Sequence, residues 1–247
     1  MYGRVTTLAI LIGTLALTAC ERSPATSSAK RTVLKVNGIT VASKDDVWVI
    51  VADGRVFRRQ GGRWQSVPGS MSQVSAGIDG TVWAIGTGGQ VLSWDGKAWQ
   101  GLPGAPTQLW VGSKSHVWGV NAAGAPLRWD GGAWQPAPGI LKQVAVGADG
   151  AIWGVGRDDF VFVWGPKGWE PVAGLLRQIS VSRKDHVWGV NAASSVYRWD
   201  GATWRLMPGE VKQIATAVDG SVWGVTVGGT ILALTDAGWK EIDAPAE

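Results

Sequence analysis

Two histidines, one cysteine and nineteen carboxylates are the groups with which this 247-residue chain could do acid–base or metal chemistry. Their spacing argues against both. His116 and His186 stand 70 residues apart at equivalent places in a repeat, which is what repetition produces and not a catalytic pair. Cys20 is the only cysteine, so no intramolecular disulfide and no thiolate metal site can form. Asp158-Asp159 and Asp45-Asp46 are adjacent acidic pairs that suit solvated turns better than a weak Ca²⁺ site. No Ser-His-Asp arrangement or carboxylate cage stands out, so no catalytic residue, metal or cofactor is expected. Binding chemistry is better represented. Gln73, Gln108, Gln143, Gln178 and Gln213 recur, preceded by Ser72, Thr107, Lys142, Arg177 and Lys212. Asn121 and Asn191, with Arg128 and Arg198, recur as a second set. Amides and cations supply the donors and acceptors that sugar hydroxyls and phosphates require. The same glutamines could instead bond neighbouring backbone.

The elements that must position these groups follow from a period. Trp48, Trp83, Trp118, Trp153, Trp188 and Trp223 lie 35 residues apart without an insertion. Trp64, Trp99, Trp134, Trp169, Trp204 and Trp239 keep the same spacing, and Trp94, Trp129, Trp164 and Trp199 form a third series. A period between 20 and 50 residues marks a repeat architecture, and six repeats fill the chain from residue 34 onward. Each repeat reads as short β-branched or aromatic runs, such as Thr81–Ile85 and Gln90–Trp94. Turn pairs such as Asp79-Gly80 and Asp95-Gly96 bound them. No mature segment holds a 3.6-residue apolar period, so helices are not expected. Four short antiparallel strands per repeat make a propeller blade. The expected fold is all-β, a six-bladed β-propeller spanning 34–247.

In such a blade the fourth-to-first crossovers and second-to-third loops share one face, called here the crossover face. The first-to-second and third-to-fourth turns share the other, the turn face. The expected ligand-binding set, Asn121, Asn191, Arg128, Arg198, Gln143, Gln213, Lys142, Lys212 and Trp110, centres on the crossover face. Trp110 is the one tryptophan off the lattice, replacing Thr40, Ser75, Ala145, Ser180 and Ala215. It either plugs the central channel or offers a flat face to a sugar ring. Blades also alternate. Asp79, Asp149 and Asp219 turn the even ones, while Lys44, Lys114 and Lys184 take that position in the odd ones. This reads as turn chemistry with weak charge attraction, or as a pseudo-threefold set of sites. The ring is expected to close by packing of the last blade on the first without a shared strand; alternatively residues 30–34, which lack the expected tryptophan, add an outer strand to blade six.

Ahead of the repeats, Arg4 and the apolar stretch Leu8–Leu17 read as a secretory signal, too short to remain as a membrane span. The following Leu17-Thr18-Ala19-Cys20 resembles the lipobox of bacterial lipoproteins. That resemblance implies a signal peptide over 1–19, an acylated Cys20 and a membrane-attached mature chain. A polar, Ser/Ala-rich tether over 20–33 would hold the propeller off the bilayer. Glu21 after the cysteine resembles the sorting pattern of Gram-negative lipoproteins, which implies the outer membrane and so the cell envelope.

Within the repeats, Trp134–Val144, with its Trp-to-Pro-Gly-to-Gln-Val order, resembles the tectonin repeat. So do Val117-Trp118-Gly119-Val120-Asn121 and Arg128-Trp129-Asp130-Gly131. Departures are Trp164-Gly165-Pro166 in blade four and Arg59 for the third tryptophan in blade one. The resemblance, to tachylectin-like and fish-egg-lectin-like proteins, implies a non-catalytic, multivalent binder of glycan or lipopolysaccharide-type ligands. The alternative is an envelope protein–protein interaction scaffold, which an unrepeated apolar patch such as Leu109 with Trp110 would favour. Nucleic acid is not an expected partner. Loss of Arg4 with the leader lowers the formal charge from +4 to +3, and the cations form no stripe.

Overall fold

The computed structural model describes residues 1–3 and 32–247, so the lipobox, Cys20 and most of the tether lie outside the described residues. Thr32–Glu247 form one compact unit, beginning two residues before the expected boundary. Every regular element in it is a β-strand.

Blade one comprises β1 (Val36–Ser43), β2 (Asp46–Val51), β3 (Arg55–Gln60) and the first part of β4 (Arg63–Ala76). Blade two takes the rest of β4 with β5 (Val82–Gly86), β6 (Val91–Trp94) and β7 (Trp99–Leu102). Blade three has β8 (Gln108–Ser113), β9 (His116–Val120), β10 (Pro126–Trp129) and β11 (Trp134–Pro136). Blade four has β12 (Gln143–Val146), β13 (Ile152–Val155), β14 (Phe160–Gly165) and β15 (Gly168–Leu175). Blade five has β16 (Gln178–Arg183), β17 (His186–Val190), β18 (Ser195–Trp199) and β19 (Trp204–Glu210). Blade six has β20 (Gln213–Thr216), β21 (Val222–Val225), β22 (Ile231–Thr235) and β23 (Gly238–Ile242).

Hydrogen bonding gives four sheets of four antiparallel strands and one of seven. The seven-stranded sheet is two blades run together. In β4, residues 63–70 pair with β3 and residues 71–76 with β5, so one strand serves as the fourth of blade one and the first of blade two. Pro68-Gly69 marks this crossover, as Pro103-Gly104 and Pro138-Gly139 mark later ones.

Packing follows the tryptophan lattice. Each second-strand tryptophan is buried, from Trp48 at 0% exposure to Trp83 at 6%, because both faces of a blade meet a neighbour. Trp153, on β13, meets Trp199 of blade five edge-on at 5.5 Å and Trp204 at 5.8 Å. Such pairs add about 0.5–1.5 kcal/mol each beyond area burial. The fourth-strand tryptophans bind the blades together at the rim. The indole N–H groups of Trp99, Trp134, Trp169 and Trp239 donate to the carbonyls of Pro68, Pro103, Pro138 and Pro208 in the preceding blades. Trp204 faces Ala173-Gly174 instead of Pro-Gly, and its buried N–H has no partner.

The ring closes by packing of blade six on blade one, supplemented by pairing of the chain ends. Val33 bridges Ala246 antiparallel, and the Leu34 N–H donates to the Pro245 carbonyl at 2.9 Å. The tail thus carries the last crossover back to blade one, where Trp64 Nε1 donates to the Asp243 carbonyl at 2.6 Å.

The even–odd alternation is turn chemistry. Asp79 Oδ1 accepts from the Thr81 N–H and its Oδ2 from the backbone N–H of Lys114 in the next blade. Asp149 reaches the Lys184 N–H and Asp219 the Lys44 N–H in the same way. No lysine ammonium hydrogen-bonds these aspartates among the described residues, and the charge of Lys44 adds only a minor attraction at Asp219, so the charge alternation chiefly reflects a backbone clamp between blades.

In the third-to-fourth turns Asp95, Asp130 and Asp200 cap their own loops. The Ala98 and Lys97 N–H groups, then Gln100, hold Asp95 below the usual carboxylate range. The Thr203 and Ala202 N–H groups, then Arg205, lower Asp200 further. For Asp79 partial burial opposes ionisation, but the Lys114 and Thr81 N–H groups outweigh it. His186 is also shifted down, by burial first and then by Arg198 and Arg183. All these groups bind protons more readily unfolded than folded, so the stability they supply is lost as pH falls. Melting temperature followed against pH is expected to show a shallow decline below about pH 6.5 from His186. A steeper one begins below about pH 4, where unfolded carboxylates take up protons.

Candidate functional site

The first strands of the six blades surround a channel that is wide at the crossover face. There a cavity of about 240 Å³ is bounded by Asn37, Ser72, Gln73, Trp110, Gln178 and Gln213, among others. Toward the turn face it narrows to about 30 Å³.

Most of the recurring glutamines are structural. Gln143 Nε2 donates to the Ile179 carbonyl at 2.7 Å, while its Oε1 accepts from the Ile179 N–H at 2.9 Å. Gln213 forms the same pair with Ile39, at 3.1 and 3.2 Å. Gln73 does so with Leu109 and Gln178 with Ile214. These clamps satisfy inner-strand backbone groups that no neighbouring strand reaches. Two interfaces lack the clamp. Blade one has Gly38 at the position, and in blade three Gln108 is exposed and bonds nothing among the described residues. Trp110, two residues on and on the same side of β8, packs its half-buried indole against the Trp118–Val144 cluster of blades three and four while lining the channel.

The remaining expected residues divide. Asn121 and Asn191 sit at the ends of β9 and β17 on the crossover face. Their Oδ1 atoms are spent within their own loops: Asn121 accepts from the Ala123 and Ala125 N–H groups, and Asn191 from the Ser195 N–H. Arg128 and Arg198 are exposed third-strand residues, and Arg198 lies 5.9 Å from the Trp188 ring. Lys142 is ion-paired with Asp159. Lys212 Nζ donates to the Val36 carbonyl at 3.3 Å. The nine residues therefore do not form one cluster.

What the crossover face does gather fills only part of the ring: one repeat position holds Lys142, Arg177 and Lys212 in blades four to six, where the earlier blades have Asn37, Ser72 and Thr107. Arg177 Nη2 donates to the Lys212 carbonyl at 2.8 Å, and Lys212 reaches the residue next to Lys35. These three cations follow one another on the crossover face, across blades five, six and one. Burial, then the charges of Lys35 and Arg177, lowers the proton affinity of the Lys212 ammonium. No carboxylate pairs with any of the three among the described residues. On the same face, around blade four, Ile140, Phe160 and Leu175 are 66%, 52% and 57% exposed, with Phe160 and Leu175 paired across β14 and β15. Leu109, by contrast, is fully buried. A periodic sequence hides this patch, because its signal is departure from the repeat: Ile140 and Leu175 stand where other blades have Lys35, Ser70, Ala105 and Glu210. No group of three or more His, Cys, Asp or Glu converges among the described residues as a metal site would require.

Solved structures resemble this fold at low identity. A structure of YCF48 bound to D1 peptide is 19% identical with a TM-score of 0.55, over 85% of this chain and 82% of that one. The WD40 β-propeller domain of Doa1 is 12% identical with a TM-score of 0.59, over 86% and 83%. Yeast RCC1 (Prp20), solved bound to Kap60, is 11% identical with a TM-score of 0.60, over 81% and 69%. These likenesses show a propeller and nothing narrower. Comparison with curated protein sequences gave no match. The Tectonin domain model matches residues 35–129, 125–201 and 185–245, which together span the whole ring, so the chain belongs to the Tectonin domain family.

Proposed function

We propose that this protein is a non-catalytic interaction propeller that docks an acidic partner segment across its crossover face. One observation carries the reading. The exposed apolar residues Ile140, Phe160 and Leu175 share the crossover face with the cations Lys35, Arg177 and Lys212, Leu175 standing two residues before Arg177; the cations pair with no carboxylate among the described residues, and neither set runs around the whole ring. A hydrophobic anchor flanked by charge is the composition of a protein-binding patch. The cations call for carboxylates on the partner. That solved propellers of this shape include one with a bound peptide and one with a bound protein is in keeping with it. The matured chain is further proposed to be tethered to the cell envelope by acylation of Cys20. Mass spectrometry of the membrane-extracted protein checks this, with Cys20→Ser expected to release it to the soluble fraction.

Glutamate substitution at Lys35, Arg177 and Lys212 together is expected to abolish partner binding and to lower the melting temperature only modestly, through the half-buried Lys212 whose Nζ bonds the Val36 carbonyl. Exposed charges contribute little to folding but steer association. Retained binding by the folded triple variant would refute the reading. A second reading, a glycan ligand, rests on the half-exposed Trp110 indole at the channel mouth. A glycan array including lipopolysaccharides separates the two: a signal lost on Trp110→Ala but kept by the charge-reversed variant would favour the lectin.

A further inference from the structure

At five of the six blade interfaces a flat group from the next blade covers the second-strand tryptophan. Trp94 lies against Trp48, Trp129 against Trp83, Trp164 against Trp118 and Trp199 against Trp153, with ring centroids 5.3–6.2 Å apart. The Arg59 guanidinium does the same for Trp223 at 5.7 Å. Between blades five and six the lattice position is Leu234, opposite Trp188. A pocket of about 420 Å³ opens there on the turn face, bounded by Arg183, His186, Trp188, Arg198, Leu234 and Asp236 with a few others. The space an indole fills elsewhere is only partly filled here.

A second substitution coincides with the first. In blade one, Arg58 lies against Asp46 in a bidentate pair, both hydrogen bonds being 2.7 Å. In blade five the aspartate is replaced by His186 and the arginine is Arg198. Trp188 Nε1 donates to His186 Nε2 at 3.1 Å, so that nitrogen carries no proton, and Nδ1–H donates to Ser182 Oγ at 2.6 Å. The imidazole is therefore neutral, and the Arg198 guanidinium has no carboxylate partner among the described residues. Blade three makes the same exchange with His116 and Arg128, but there Trp164 covers Trp118. Among the six interfaces, the one between blades five and six combines a missing ring with a missing counter-charge.

We propose that this pocket binds a small planar aromatic monoanion. Its ring occupies the space of the absent indole against Leu234 and the edge of Trp188, and its carboxylate meets Arg198, with Arg183, itself paired to Asp185 at 3.4 Å, beside it. Arginine suits both roles, since its planar fork stacks on rings and takes carboxylates bidentately. Asp236 on the rim disfavours a second negative charge and leaves a single carboxylate as the best match.

Indoleacetate, with indole as its neutral counterpart, is the probe, titrated calorimetrically into the protein. For a ligand of this size a dissociation constant on the order of 1 mM is expected. Indole should bind about tenfold more weakly, for want of the charge-assisted hydrogen bonds. Arg198→Gln, an exposed change that leaves the fold intact, should weaken indoleacetate about tenfold and leave indole unaffected. Leu234→Trp should restore the aromatic lattice, raise the melting temperature and abolish binding of both probes. Absence of saturable indoleacetate binding overturns the proposal. So does unchanged binding in either variant, or a Leu234→Trp protein less stable than its parent.

Discussion

Trp153→Ala is expected to destabilise the propeller by about 3–5 kcal/mol, which for a domain of this size lowers the melting temperature by roughly 10 °C. Trp153 is 4% exposed, and its indole forms the centre of a cluster with Trp199 and Trp204 of the next blade, beside Val155, Val161 and Val187. Truncation removes the ring and leaves a cavity between two blades. Neither blade can move inward to fill it, because the inner strands already touch. A methyl group on Gly112 of β8, for example, would collide with the backbone carbonyl of Gly147. Differential scanning calorimetry measures the loss. A shift of only a degree or two would mean that the blades are not held by this lattice.

The second large effect is expected from Gln143→Leu, at about 1–3 kcal/mol. The side chain is 7% exposed and bonds both the N–H and the carbonyl of Ile179, itself 1% exposed. Leucine has nearly the same size but supplies neither partner. The Ile179 carbonyl keeps Gln178 Nε2 as a donor at 2.9 Å, so the N–H alone is left unpaired, at about 1–3 kcal/mol, whereas the volume is conserved. The same change at Gln108, which is exposed and unbonded, should cost less than about 0.5 kcal/mol. Urea unfolding of the two variants side by side tests the contrast, and equal losses would contradict the assignment of the recurring glutamines as clamps between blades.

The period that revealed the fold also obscured the site. Six tryptophans spaced by 35 residues require six equivalent environments, and a blade is the unit that supplies them. Turn pairs such as Asp79-Gly80 then set the strand boundaries. The run-together sheet could not be read the same way, since whether Pro68-Gly69 interrupts or continues β4 depends on backbone geometry that residue types leave open. For the site, repetition pointed at Gln143, Gln213, Asn121 and Asn191, whose polar atoms turn out to serve the ring and its loops. Residue type alone does not separate a glutamine that clamps a neighbouring strand from one that awaits a ligand. The distinguishing groups are single departures: Trp110 for a small residue, Leu175 for a small or charged one, Leu234 for tryptophan, His186 for aspartate. Each carries meaning only once the neighbour it faces is known. Lys212 gained its interest from Arg177 and Lys35, which lie in adjacent blades and not beside it in sequence.

Site-specific photocrosslinking from position 160, with position 78 as the control, tests the central claim most directly. Phe160 and Ile78 are both exposed, at 52% and 45%, but lie on the crossover and turn faces respectively. A crosslinker replacing Phe160 in the full-length protein, expressed in cells, is expected to give a discrete protein adduct. That adduct should disappear when Lys35, Arg177 and Lys212 are changed to glutamate, and the Ile78 position should give none. Equal labelling from both positions, or an adduct at position 160 indifferent to the three charges, would contradict docking on the crossover face.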